Sequence, residues 1–140
     1  MFSKKFDHEF VNKLLKQKEG KSLEFKLKIT SKEKIAKTIS ALANSEGGFI
    51  LIGTSDQGKI IGIDPEEEMY MISAANEEFC IPKASISLHE VKIDDEDLEK
   101  EEKSVLIVEV NPTQGPVIYV NHKIGKPKAY RREKDKTLAI

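Results

Sequence analysis

The stretch ISALANSEGGFILIG, residues 39–53, limits the fold more than any other. A helical stripe of Ile35, Ile39, Leu42 and Ala43 stops at Asn44, Ser45, Gly47 and Gly48, since glycine tolerates the left-handed turn at a helix end. FILIG follows at once. A short apolar run without polar alternation reads as a strand buried on both faces. Ahead of the helix, Thr30 and Glu33 spell a T-x-x-E capping box, in which each side chain satisfies the other's backbone N–H. Ahead of that, SLEFKLKI sets Leu23, Phe25, Leu27 and Ile29 against Glu24, Lys26 and Lys28. Period two over this length predicts a half-buried strand.

The flanks extend the pattern. Residues 7–18 read as a helix capped by Asp7, with Phe10, Val11, Leu14 and Leu15 at helical spacing and Gly20 ending it. KIIGI reads as a strand joined to FILIG through a TSDQG hairpin turn. Asp64 caps a third helix with Pro65 at its first position, and Glu66, Glu67 and Glu68 suit its positive end. Met69, Ile72 and Phe79 would face the core, and Pro82 closes the stretch. SISLHEVKI and SVLIVEV read as strands joined by the exposed turn DDEDLEKEEK. PVIYV and AYRR are shorter strands, and NPTQGP and HKIGKPK are turns. With no repeat or linker, residues 1–140 form one α+β domain with a mixed sheet and about three helices.

GTSDQGK, residues 53–59, spells the G-x-x-x-x-G-K of a phosphate-binding loop. That loop must lead from strand into helix and needs Ser or Thr after its lysine. Ile60 follows Lys59, and the chain continues as strand and turn, so a hairpin is the better reading. Net charge is −1, but the charges are segregated. Residues 1–40 carry 11 basic and 5 acidic side chains, residues 41–119 carry 5 and 17, and residues 120–140 carry 7 and 2. If the two basic ends meet in space, a nearly neutral protein gains one positive surface. No apolar run is long enough to span a membrane, and no secretory h-region is visible. The single cysteine, Cys80, reads as a small core residue, and cytoplasm is the default compartment. His8, His89 and His122 form no metal spacing with it.

EGKSLEFK, ISALANSEGGFILIG and DQGKIIGI together resemble the Schlafen-type AlbA-like domain, which is also found in bacterial transcription-regulator-like proteins. Its pattern runs E-x-x-x-x-E-F-K, a helix ending A-N-x-x-G-G, an apolar strand, and a glycine-bracketed hairpin ending I-x-G. The likeness covers residues 19–63 most closely, then PVIYV and KAYRRE more loosely. Leu42 stands where the family usually has Phe, and Thr54 where Val is common. The resemblance implies DNA or RNA as partner, and ATP for some relatives. It also implies, from the vertebrate branch, an endoribonuclease whose acidic triad falls on Glu19, Glu24 and Asp56. Three converging carboxylates would need a hard cation, Mg²⁺ or Mn²⁺, and Lys26 could hold a flanking phosphate.

The binding reading asks less of the residues. Lys26, Lys28, Lys123, Lys126, Lys128, Arg131 and Arg132 would neutralise phosphates, and Tyr130 would stack on a base. Binding needs no cofactor, and no helix-turn-helix, zinc-finger or RNP pattern supports sequence-specific readout. A third reading makes the Asn44–Gly48 turn, or the acidic middle, a nucleotide or protein contact. Homo-oligomerisation is left open. The residues favour non-sequence-specific nucleic-acid binding over catalysis.

Overall fold

The computed structural model describes residues 6–93 and 102–140. Its architecture is α+β. Helix α1 (His8–Lys16) precedes strand β1 (Leu23–Lys26), helix α2 (Lys32–Ala43), strand β2 (Gly48–Ile52) and helix α3 (Pro65–Phe79). Strands β3 (Cys80–Ile81), β4 (Ile86–Ile93), β5 (Lys103–Val110), β6 (Tyr119–Val120), β7 (Lys128–Glu133) and β8 (Lys136–Ala139) follow. The strands divide into two sheets rather than one. A mixed sheet has the order β1-β2-β5-β4, in which β1 and β2 are parallel and the other pairs antiparallel. A smaller antiparallel sheet has the order β3-β6-β7-β8.

As FILIG predicts, β2 lies inside the mixed sheet with Ile50, Leu51 and Ile52 fully buried. Leu51 joins Val11, Leu14, Phe25 and Ile107 in a core under α1. Ile50 and Ile52 face the opposite core, built with α2, α3 and the small sheet. Helix α2 therefore buries eight of its twelve residues, far more than the single stripe read from its spacing.

Asp64 and Pro65 open α3 as predicted, with Asp64 Oδ1 accepting from Glu66 N at 3.1 Å. The α2 cap differs. Ser31, not Thr30, is the N-cap and accepts from Lys34 N at 3.2 Å. Glu33 turns instead to the chain's far end, where its Oε1 meets His122 and the backbone N–H of Lys123. The strand expected through Ile29 stops at Lys26, whose carbonyl accepts from Gly53 and Thr54, and Leu27 is left exposed.

The KIIGI strand is not formed. One Thr54–Ile60 bridge closes a turn, and Ile61 N and Gly62 N both donate to Gly53 O. No helix follows Lys59, as the hairpin reading requires, since α3 begins at Pro65. DDEDLEKE, the bulk of the expected charged turn, lies outside the described residues. Among the described residues no helix is long and apolar enough to cross a membrane.

Candidate nucleic-acid interface

The small sheet lies against α2 through the A-N-S motif at that helix's end. Asn44 Nδ2 donates to the carbonyls of Ile118 at 2.9 Å and Tyr130 at 3.0 Å, and Asn44 Oδ1 accepts from Ile118 N at 2.8 Å. Ser45 Oγ accepts from Arg132 N at 2.9 Å. At Gly47, whose φ is +76°, an added Cβ would stand 2.7 Å from Val110 O and from the Pro112 ring. Asn44 and Ser45 are thus used within the fold, while Glu46, Gly47 and Gly48 line an open cavity of about 410 Å³.

Arg132 makes the longest connection. From β7 it reaches β1, where its Nη2 lies 2.6 Å from Glu24 Oε2. Its Nε donates to Gly20 O at 3.0 Å and its Nη1 to Thr137 Oγ1 at 3.1 Å. The side chains are 1% and 13% exposed, so this is a buried ion pair. Lys26 Nζ takes the other Glu24 oxygen at 3.5 Å. The basic C-terminal hairpin is therefore fastened onto the basic N-terminal third, as the charge segregation requires if the two ends are to share one surface.

Glu19 and Asp56 line one open cleft of about 420 Å³ together with Lys16, Lys18, Gly58 and Asp135. Glu19 Oε1 accepts from Phe25 N at 2.8 Å. Burial raises the Glu19 carboxyl above its ordinary range. The Phe25 bond opposes this, the charges of Glu24 and Asp56 add to it, and Lys26 works against them. Two of the three carboxylates expected to form a metal triad are engaged within the protein. Both oxygens of Glu24 face cations, and one of Glu19 is held by backbone. Among the described residues, no group of three or more His, Cys, Asp or Glu could hold a metal ion.

The sequence matches the Schlafen, AlbA_2 family over residues 19–140. The chain belongs to the Schlafen AlbA_2 family. No match is found among curated proteins. Among solved structures the domain is similar to the DIP2311 protein from Corynebacterium diphtheriae, at 16% identity and a TM-score of 0.55. The match covers 86% of this chain and 22% of that one, so this chain spans about a fifth of that protein's length. At that identity the likeness concerns the fold alone.

Within this Schlafen AlbA_2 domain, Lys123, Lys126, Lys128 and Arg131 are exposed along β7 and the loop before it. Lys26 is partly exposed, and Lys28 makes only a surface pair with Glu67 at 3.7 Å. Two expected contacts are not available at the surface. Arg132 is spent on Glu24, and Tyr130 is 7% exposed. The cause is strand parity. Residues 130 and 132 point inward, toward α2 and β1, while Arg131 points out.

Tyr130 Oη lies 2.6 Å from His122 Nε2, and His122 Nδ1 lies 2.7 Å from Glu33 Oε1. A neutral ring protonated on Nδ1 satisfies both partners, donating to the carboxylate and accepting from the phenol. The His122 bond is the main cause holding the Glu33 carboxyl below its ordinary value. Burial, then the Glu33 charge, raises the Tyr130 phenol. Sequence reading passed over Tyr119, which is 47% exposed on β6. The alternation in VIYV, with Ile118 and Val120 buried, was the available signal.

Proposed function

We propose that this domain binds nucleic acid through the phosphate backbone, without reading sequence, on a surface supplied by both ends of the chain. The observation that carries this reading is the buried Arg132–Glu24 pair, which brings the β7–β8 hairpin and its exposed cations beside β1 and its flanking lysines. Lys26, Lys28, Lys123, Lys126, Lys128 and Arg131 are the contacts, each a point of phosphate neutralisation and counterion release. Membership in the Schlafen AlbA_2 family supports a nucleic-acid partner. In Mg²⁺- or Mn²⁺-dependent RNA cleavage Glu24 would share its oxygens between the metal and the Arg132 and Lys26 cations, whereas Lys123, Lys126 and Lys128 are already exposed to phosphate.

The test is anisotropy of a labelled duplex titrated with the domain at low salt. Binding that is indifferent to base sequence, and that Lys126→Glu/Lys128→Glu weakens, supports the reading. No complex at low salt, or affinity confined to one sequence, refutes it.

A further inference from the structure

The small sheet has one face against α2 and one face open. Paired residues on adjacent strands share a face, and so do residues two apart on one strand. Tyr119 lies opposite Ile81 on one side and Ala129 on the other, while Arg131 lies opposite Leu138. Ile140 donates its N–H to Ala129 O and extends the same row. The open face therefore gathers Ile81, Tyr119, Arg131, Leu138 and Ile140, all exposed. Four large apolar side chains on one open sheet face form a patch rather than scattered exposure, and such patches mark contact sites.

We infer that this face receives unpaired bases of a nucleic-acid strand, with Tyr119 as the stacking surface and Arg131 on the adjoining phosphate. The inference rests on the proposed binding function and assigns to Tyr119 the stacking role that the buried Tyr130 lacks. Arg131 is diagonal to Tyr119 across the β6–β7 pair, a Cα separation of roughly 7–8 Å, which suits a base and its own phosphate. It pairs with Glu133 at 2.8 Å in an exposed ion pair, and exposed pairs exchange readily. Glu133, two residues from Arg131, and its cross-strand neighbour Lys136 share the face, and Lys134 and Asp135 form the turn beside it. Lys126 lies in the loop before β7, and Lys128, opposite Val120, belongs to the other face.

This charge selects the occupant. With Arg131 and Lys136 positive and Glu133 negative, the face carries a net charge of +1, which a polyanion meets with opposite sign and a second copy through a two-fold contact meets with the same sign. A duplex keeps its bases stacked inside, so it would reach the lysines and not Tyr119.

The chain has three tyrosines, Tyr70, Tyr119 and Tyr130, and no tryptophan, so the part of any change in tyrosine emission that Tyr119→Phe removes reports on this face. Single-stranded oligo-dT and oligo-rU, and a duplex of equal length, are titrated by emission and anisotropy. Both single strands, or whichever of the two binds, should quench the emission. Tyr119→Ala should weaken single-strand binding by about tenfold or more, Tyr119→Phe should preserve it, and duplex affinity should not change. Equal single-strand affinity for Tyr119→Ala and the unaltered chain, with binding otherwise intact, overturns this inference alone. So does a dimer, seen by sedimentation without nucleic acid, that Tyr119→Ala dissolves. Failure of single strand and duplex alike removes the binding function and this inference with it.

Discussion

Glu24→Ala should behave as a folding lesion. It removes the carboxylate from Arg132, whose side chain is 1% exposed and cannot turn to water for a new partner. Leaving one member of a buried ion pair alone typically costs about 3–5 kcal/mol. Arg132 keeps bonds to Gly20 O, Leu23 O and Thr137 Oγ1, which places the cost at the lower end, about 3 kcal/mol. For a domain of this size that is a fall in Tm of roughly 10 °C.

Urea melts followed by circular dichroism measure the loss, and a double-variant cycle isolates the pair. Arg132→Met alone removes the charge and its bonds. In combination with Glu24→Ala it should cost clearly less than the two single losses added, because the stranded cation is gone. A Glu24→Ala cost under about 0.5 kcal/mol, or single losses that add within about 0.5 kcal/mol, would refute the reasoning. A triad with Glu24 as a metal ligand predicts the contrary pattern, in which cleavage is lost and stability kept.

Two further outcomes are expected. The Glu33 carboxyl is held below its ordinary value of 4.5 by His122, so its contribution is present above that value and is lost as pH falls through the lower folded value. Glu33→Gln should therefore lower the urea midpoint at pH 7 and narrow its difference from the unaltered protein near pH 3; a midpoint difference independent of pH would contradict this. Gly48→Ala should abolish the folded state or cost more than about 3 kcal/mol, because its φ is +151° and the new Cβ would enter the backbone of Ser22. A soluble variant with an unchanged melt would contradict that.

Much of the scaffold was legible because its signals are local. Asp64 and Pro65 announce α3 within two residues, and FILIG announces a strand buried on both faces without reference to anything distant. Glu33 shows the limit. Its spacing from Thr30 fits a capping box, but His122, 89 positions away, offers it a better partner. Arg132 and Tyr130 fail as surface contacts for the same reason, since residue type suggests exposure while parity on β7 turns them inward. The parity was readable in KAYRRE. The partner was not, because Glu24 is 108 residues from Arg132 in sequence. The division of the strands into two sheets was likewise hidden, as β3 and β6 are two residues each and take their pairing from α2 and Asn44.

The claim that both ends of the chain build one cationic surface is tested most directly by salt-dependent anisotropy of charge-reversal variants drawn from each end. Lys26→Glu/Lys28→Glu and Lys126→Glu/Lys128→Glu should each lower duplex affinity and each flatten the dependence of log affinity on log salt, by about 0.9 per lost phosphate contact. An unchanged slope in either variant would contradict the account.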